Sequence, residues 1–210
     1  MTLPLAPDAW FNKKIQEGGG IFDRKSFDLM MSACKNFRVA LDVGAHVGTW
    51  SIGMAQKFEQ VWAIEPMDIN YKYLIDNTKD ITNIHTIQTA VGDGVWSNMR
   101  MAAGSQNSGQ PHIVTGEEIA VQIIPMTTLD ECFPEITHVD LLKIDVEGYE
   151  LQVLHGGKSL IERCSPVIQV ELNGLAKRYN GSDGAVSRHL ESIGYKLFGR
   201  ENKDYVYTRG

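Results

Sequence analysis

The run Lys143-Ile144-Asp145-Val146-Glu147-Gly148 puts two carboxylates directly after an apolar stretch, and a third, Glu171, closes the next apolar stretch. Carboxylates so placed can do one of two jobs. Asp145 or Glu147, or His155 one helix further on, can take the proton of an attacking hydroxyl, a general-base role worth about 10²–10⁴-fold. Alternatively Asp145, Glu147 and Glu171 converge on Mg²⁺, a hard cation that prefers oxygen ligands and lowers the pKa of a bound hydroxyl. The competing structural account makes Glu147 a cap of the following helix and pairs Glu171 with Lys143 or Arg178. For His155 the structural account is a place at the carboxyl end of that helix, before Gly156-Gly157.

A second group of residues has the spacing of a cofactor loop. Asp42 ends an apolar run, Gly44 and Gly48 follow, and a helix-like segment opens near Thr49. Glycine lets the backbone turn tightly and approach a ligand, and the helix start offers free N–H groups. A dinucleotide fingerprint requires glycine at positions 44, 46 and 49, where this chain has Gly44, His46 and Thr49. The spacing D-x-G-x-x-x-G is similar instead to the looser loop of class I methyltransferases, which wraps the methionine end of S-adenosylmethionine with Asp42 supplying negative charge nearby. Glu65 follows about 20 residues later, where an acidic side chain accepts hydrogen bonds from ribose hydroxyls. Its structural alternative is a helix cap before Pro66. Asp93 is placed to reach an adenine amino group, although Gly92-Asp93-Gly94 also reads as a plain turn.

The elements that must position these groups are short apolar strands alternating with helical segments, which predicts an α/β, Rossmann-like fold with a mostly parallel sheet and helices on both faces. Strands are expected over 39–43, 61–65, 85–91, 139–144 and 166–171, with helices over 26–36, 49–57, 70–78 and 150–160. The last segments, 195–198 and 205–207 around a charged turn, predict an antiparallel hairpin. Residues 1–37 form an amino-terminal helical region of what is expected to be one domain spanning 1–210. The polar stretch 97–118, with a short strand over 119–124, is read as a hairpin or an acceptor-site lid. Trp10, Trp50, Trp62 and Trp96 are read as core or cofactor-wall aromatics.

Taken together, Leu41-Asp42-Val43-Gly44-Ala45-His46-Val47-Gly48, Glu65-Pro66, Thr128-Leu129-Asp130, Leu141 to Glu150, Val153-Leu154-His155-Gly156-Gly157 and Gln169-Val170-Glu171 resemble the FkbM family of S-adenosylmethionine-dependent methyltransferases. The resemblance runs from about Val39 to Glu171. It implies S-adenosylmethionine as cofactor and O-methylation, often of sugars or polyketide-type alcohols. The family usually has Asn at position 46, so His46 is a departure that leaves its contact with the cofactor open.

Composition narrows the partners. A formal charge of −6 offers no long-range attraction to polyanions, which disfavours a nucleic-acid footprint and with it a cap or ribose methyltransferase. Three scattered cysteines without metal spacing read as reduced thiols, and no export signal or membrane span is evident, so the expected location is cytoplasmic. The acceptor that the resemblance implies is a small molecule or carbohydrate. A nicotinamide-dependent oxidoreductase shares the fold but lacks the glycines, and a non-catalytic binding module has no need to keep Glu65, Asp145 and Glu147 together.

Overall fold

The computed structural model describes residues 3–102, 111–114 and 119–210. Two amino-terminal helices, α1 (Ala9–Glu17) and α2 (Arg24–Ala33), precede β1 (Val39–Val43), α3 (Thr49–Ala55), β2 (Gln60–Ile64), α4 (Asp68–Thr78) and β3 (Ile84–Ile87). Then come β4 (Ala90–Val91), β5 (Trp96–Ala102), β6 (His112–Ile113), β7 (Gln122–Thr127), α5 (Leu129–Cys132) and β8 (Leu141–Ile144). The chain continues through α6 (Glu150–Gly156), α7 (Lys158–Cys164), β9 (Val167–Glu171), a 3-10 turn at Leu175–Tyr179, α8 (Asp183–Ser192), β10 (Tyr195–Glu201) and β11 (Asp204–Arg209).

The main sheet has the order β10-β11-β9-β8-β1-β2-β3. Strands β3, β2, β1, β8 and β9 run parallel, and the β10–β11 hairpin adds antiparallel to β9. Winding runs outward from β1 through β2 to β3, then restarts at β8 on the other side. That reversal opens a crevice beyond the carboxyl ends of β1 and β8, the usual place for a ligand in open α/β sheets. Neighbouring residues on each central strand face opposite layers: Ala40 and Leu141 pack with Phe27, Met30 and Met54 under α2 and α3, whereas Leu41 and Leu142 pack with Val153, Leu160 and Leu190 under α6–α8. The fold class expected from the strand–helix alternation is the one observed.

Three local expectations are corrected. The apolar run 85–91 is two strands: β3 ends at Ile87, and β4 belongs to a second, four-stranded sheet of order β4-β7-β5-β6. Gln88 and Thr89 make the switch, with Gln88 Nε2 on Asp68 Oδ1 and Thr89 Oγ1 on Pro125 O at 3.0 Å. Helix 150–160 breaks at Gly157, where Asp130 accepts the Ser159 and Leu160 amides at 3.0 and 2.8 Å and so starts α7 separately. A side chain at Gly156 would meet Gly92 O at 1.9 Å, so the small-residue pair also lets α6 lie against the β4 turn. Finally, in the segment read as a hairpin or a lid, β5 and β7 pair antiparallel as a hairpin would, but the strand expected over 119–124 begins at Gln122; residues 103–110 and 115–118 of that segment lie outside the described residues.

Candidate active site

Beyond the carboxyl ends of β1, β2, β8 and β9 lies a cavity of about 270 Å³ whose walls include Gly44, His46, Glu65, Asp145, Glu147 and Glu171. Gly44 and Gly48 both have positive φ, at 79° and 86°, a backbone region that favours glycine. The crowding that excludes a side chain at these glycines comes from the protein itself. A β-carbon at Gly44 would meet Asp145 O at 1.8 Å, and one at Gly48 would meet Leu74 Cδ1 at 2.6 Å. Gly48 is therefore a packing residue outside the cavity lining, and Gly44 brings the β1 loop against the β8 loop.

Glu65 is 4% exposed and held from three sides. Its Oε2 accepts the His46 amide at 2.9 Å, while Oε1 accepts the Met67 amide at 3.0 Å and Asn70 Nδ2 at 3.3 Å. Burial pushes this carboxyl up to about 7 despite those donors, because desolvation disfavours the charged form. His46 itself is left-handed (φ 52°), with its ring 4.4 Å from Phe11.

Asp42 does not reach the cavity. It is fully buried beneath the loop, accepts Ser51 Oγ at 2.5 Å, and pairs with Lys143, whose Nζ lies 3.0 Å from Asp42 Oδ1. The same ammonium donates to Gly44 O at 2.6 Å and stands 3.7 Å from Asp145 Oδ2. Burial works against the Lys143 charge, but Asp42 and then Asp145 outweigh it and raise its pKa. The sequence offers Lys143 only as a pairing partner of Glu171, and the structure pairs it with Asp42 instead. Its signal was a lysine inside a fully apolar central strand, a placement that requires a buried partner; the partner, Asp42, is its neighbour in the β1–β8 register.

Asp145, Glu147 and Glu171 do come together, each offering a carboxylate oxygen within 4.8 Å of the others. Glu147 is not a helix cap: it sits at φ 56° in the loop before α6, whose N-cap is Tyr149, and Glu150 holds that loop by accepting the Gly148 and Val146 amides at 2.9 and 3.3 Å. Nor does Glu171 pair with Lys143 or Arg178; it accepts Asn173 Nδ2 at 2.5 Å, while Arg178 donates to the Glu147 carbonyl. Burial first, and the neighbouring carboxylates second, push the pKa values of Glu147 and Glu171 well up.

Two further expected residues lie elsewhere. His155 is on the exposed side of α6 with its ring 4.8 Å from that of His189, outside the cavity lining, because the start of α6 faces the site and its end does not. Asp93 is exposed in the turn after β4, also outside the lining. Conversely, Trp10, Phe11 and Phe22 from the amino-terminal region, and Lys203 from the β10–β11 turn, line the cavity without having been singled out for it, except Trp10 as a possible cofactor wall.

A doubly wound sheet of order β3-β2-β1-β8-β9-β11-β10, parallel but for its closing antiparallel hairpin, with a glycine loop after β1 and an acidic residue after β2, is the class I methyltransferase fold. A family model described as the methyltransferase FkbM domain matches residues 42–197. The chain belongs to the FkbM methyltransferase family. Among solved structures it is similar to an FkbM methyltransferase from Methylobacillus flagellatus KT, at 19% identity and TM-score 0.58 over 82% of this chain and 43% of that one. It thus spans less than half of that protein. A precorrin-6y C5,15-methyltransferase from Geobacter metallireducens GS-15 (15% identity, TM-score 0.51, 87% and 85% coverage) shares the fold. So does a ribosomal protein L11 methylase from Lactobacillus delbrueckii subsp. bulgaricus (11%, 0.53, 88% and 76%). No curated protein matches the chain. Among the described residues no helix is long and apolar enough to cross a membrane.

Proposed function

We propose that this methyltransferase binds S-adenosylmethionine along the carboxyl edge of its main sheet and methylates a hydroxyl of a sugar or another small-molecule acceptor. One observation carries the reading: a single cavity joins Glu65, a buried carboxylate of preset orientation, to the Asp145/Glu147/Glu171 cluster. The residues fit the cofactor. A carboxylate has about four acceptor sites, and the three internal donors leave one at Glu65 Oε2 for a ribose hydroxyl. When bound, S-adenosylmethionine supplies an electrophilic methyl group open to in-line displacement.

The chain's own task is positioning and proton transfer. Gly44 and His46 shape the loop beside Glu65, and Phe11 of α1 packs against the His46 ring. Asp145, the member of the cluster beside Lys143, is the residue assigned to take the acceptor proton. Glu147 and Glu171 accept or donate hydrogen bonds to neighbouring hydroxyls. Most of the acceleration comes from holding the reacting atoms in line. The three carboxylates also suit a hard divalent cation such as Mg²⁺, which they would hold through oxygen and which would acidify the acceptor hydroxyl.

Calorimetry tests the cofactor assignment. S-adenosylmethionine and S-adenosylhomocysteine should bind and NAD should not; equal or tighter binding of NAD overturns it. Glu65→Ala should weaken S-adenosylhomocysteine binding by about 1.5–3 kcal/mol, the range for a hydrogen bond to a charged group. Because Glu65 gains a proton as the pH is lowered through about 7, affinity should also fall below that pH. Glu65→Gln should bind weakly with no such pH dependence, and an unchanged dissociation constant in either variant returns Glu65 to a purely structural role.

A further inference from the structure

The cavity has two unlike covers, the small sheet and an aromatic group from the amino-terminal region. The small sheet is fastened at the Glu65 end: Gln122 accepts the Asp68 amide at 2.9 Å and donates to Pro66 O at 3.0 Å, and Met67 packs with Ala90, Met101, Ile113 and Met126. The aromatic cover reaches both ends: Phe11 lies 4.4 Å from the His46 ring, and Phe22 is fastened toward the carboxylates. Phe22 O accepts Trp50 Nε1 at 2.6 Å, and Lys143 stands over the Trp50 ring beside Asp145. Asp23, the next residue, accepts Asn202 Nδ2 at 3.2 Å, which ties this cover to the β10–β11 turn; Lys203 of that turn accepts the amide of Leu172, the neighbour of Glu171. Phe11 stacks on Phe22 at 4.5 Å and 9°, and Trp10 lies 6.1 Å from Phe22.

Trp10 stands out within this cover because it lines the cavity while remaining 51% exposed. A large indole gains little stability half out of a core, but it offers a flat apolar surface in the same cavity as a cluster of hydrogen-bonding carboxylates. Ring compounds that carry hydroxyls present a C–H face and a polar edge, and this pairing of surfaces suits both.

Resting on the proposed O-methyltransferase reading, we infer that Trp10, backed by Phe22, is the acceptor-binding platform and hence a specificity-determining residue. The small sheet, which contains most of the 97–124 segment described, walls the nucleoside end of the cavity. Among the described residues, acceptor choice then lies in the amino-terminal helix.

The test uses the S-adenosylhomocysteine complex and two ring alcohols, methyl α-D-glucopyranoside and trans-cyclohexane-1,2-diol, observed by saturation-transfer NMR. Wild type should transfer saturation to the ring C–H protons of at least one probe. Trp10→Ala should lose that transfer at least 5-fold and Trp10→Phe should keep it, with S-adenosylhomocysteine affinity within about 2-fold of wild type in both. Ile113→Ala should do the opposite, weakening S-adenosylhomocysteine while sparing probe contact at saturating ligand. No probe contact in wild type, or unchanged contact in Trp10→Ala, overturns the inference. Loss of S-adenosylhomocysteine affinity in Trp10→Ala makes the indole a cofactor wall and also overturns it. Failure of wild type to bind S-adenosylhomocysteine at all would count instead against the proposed function.

Discussion

Asp145→Asn should bind S-adenosylmethionine as wild type does and turn over about 10²-fold or more slowly, because the substitution keeps the side-chain shape and removes its charge. The expectation rests on position. Asp145 follows β8 directly, lines the cavity beside Glu147 and Glu171, and lies 3.7 Å from the Lys143 ammonium. A residue acting only on the transferred proton changes turnover and leaves ground-state binding alone. Steady-state kinetics on an acceptor, paired with calorimetry of S-adenosylhomocysteine, separate the two quantities. Chelation then distinguishes the two uses of the cluster. Activity abolished by EDTA and restored by Mg²⁺ assigns Asp145, Glu147 and Glu171 to a metal; activity indifferent to EDTA assigns the proton to Asp145 itself. Near-wild-type turnover in folded Asp145→Asn defeats both.

Lys143→Met should cost about 3–5 kcal/mol of folding stability, the range for removing one partner of a buried ion pair and leaving the other charge uncompensated. Lys143 is 4% exposed and Asp42 is fully buried, so water cannot take over the lost contact. The ammonium also holds Gly44 O at 2.6 Å, and that carbonyl would lose its charged donor as well. Denaturant unfolding measures the effect. Lys143→Met combined with Asp42→Asn should recover a large part of the loss, because the second change removes the stranded charge. A single-variant loss below about 1 kcal/mol would mean that the buried charge finds another partner, and the ion pair would cease to explain how the loop is held.

Much of the fold was legible because its signals are local. Apolar runs of strand length at 39–43, 61–65 and 166–171 predict central strands that are observed within a residue at each end. The antiparallel hairpin at the carboxyl end likewise follows from two alternating segments around a charged turn. The run 85–91 failed for a physical reason: apolar character reports that a strand is buried, not which sheet buries it, and Thr89 passes the chain from one sheet to the other. Helix 150–160 failed because its periodicity continues through Gly157, whereas Asp130, distant in sequence, supplies the cap that starts a new helix.

What the sequence determined by itself is therefore the class of protein and the list of groups able to do its chemistry, since strand period, glycine spacing and the Lys-Ile-Asp-Val-Glu-Gly run all lie within short windows. Tertiary structure decided which of those groups share one space. Strand register put Asp42 under the loop, paired with Lys143, and left Glu65 facing the cavity. The direction of α6 carried His155 to the surface, and the amino-terminal helix and the β10–β11 turn delivered Trp10 and Lys203 from opposite ends of the chain. The reason is geometric: a residue's type and neighbours in sequence state what it can do, but the packing of elements far apart along the chain sets where its side chain points.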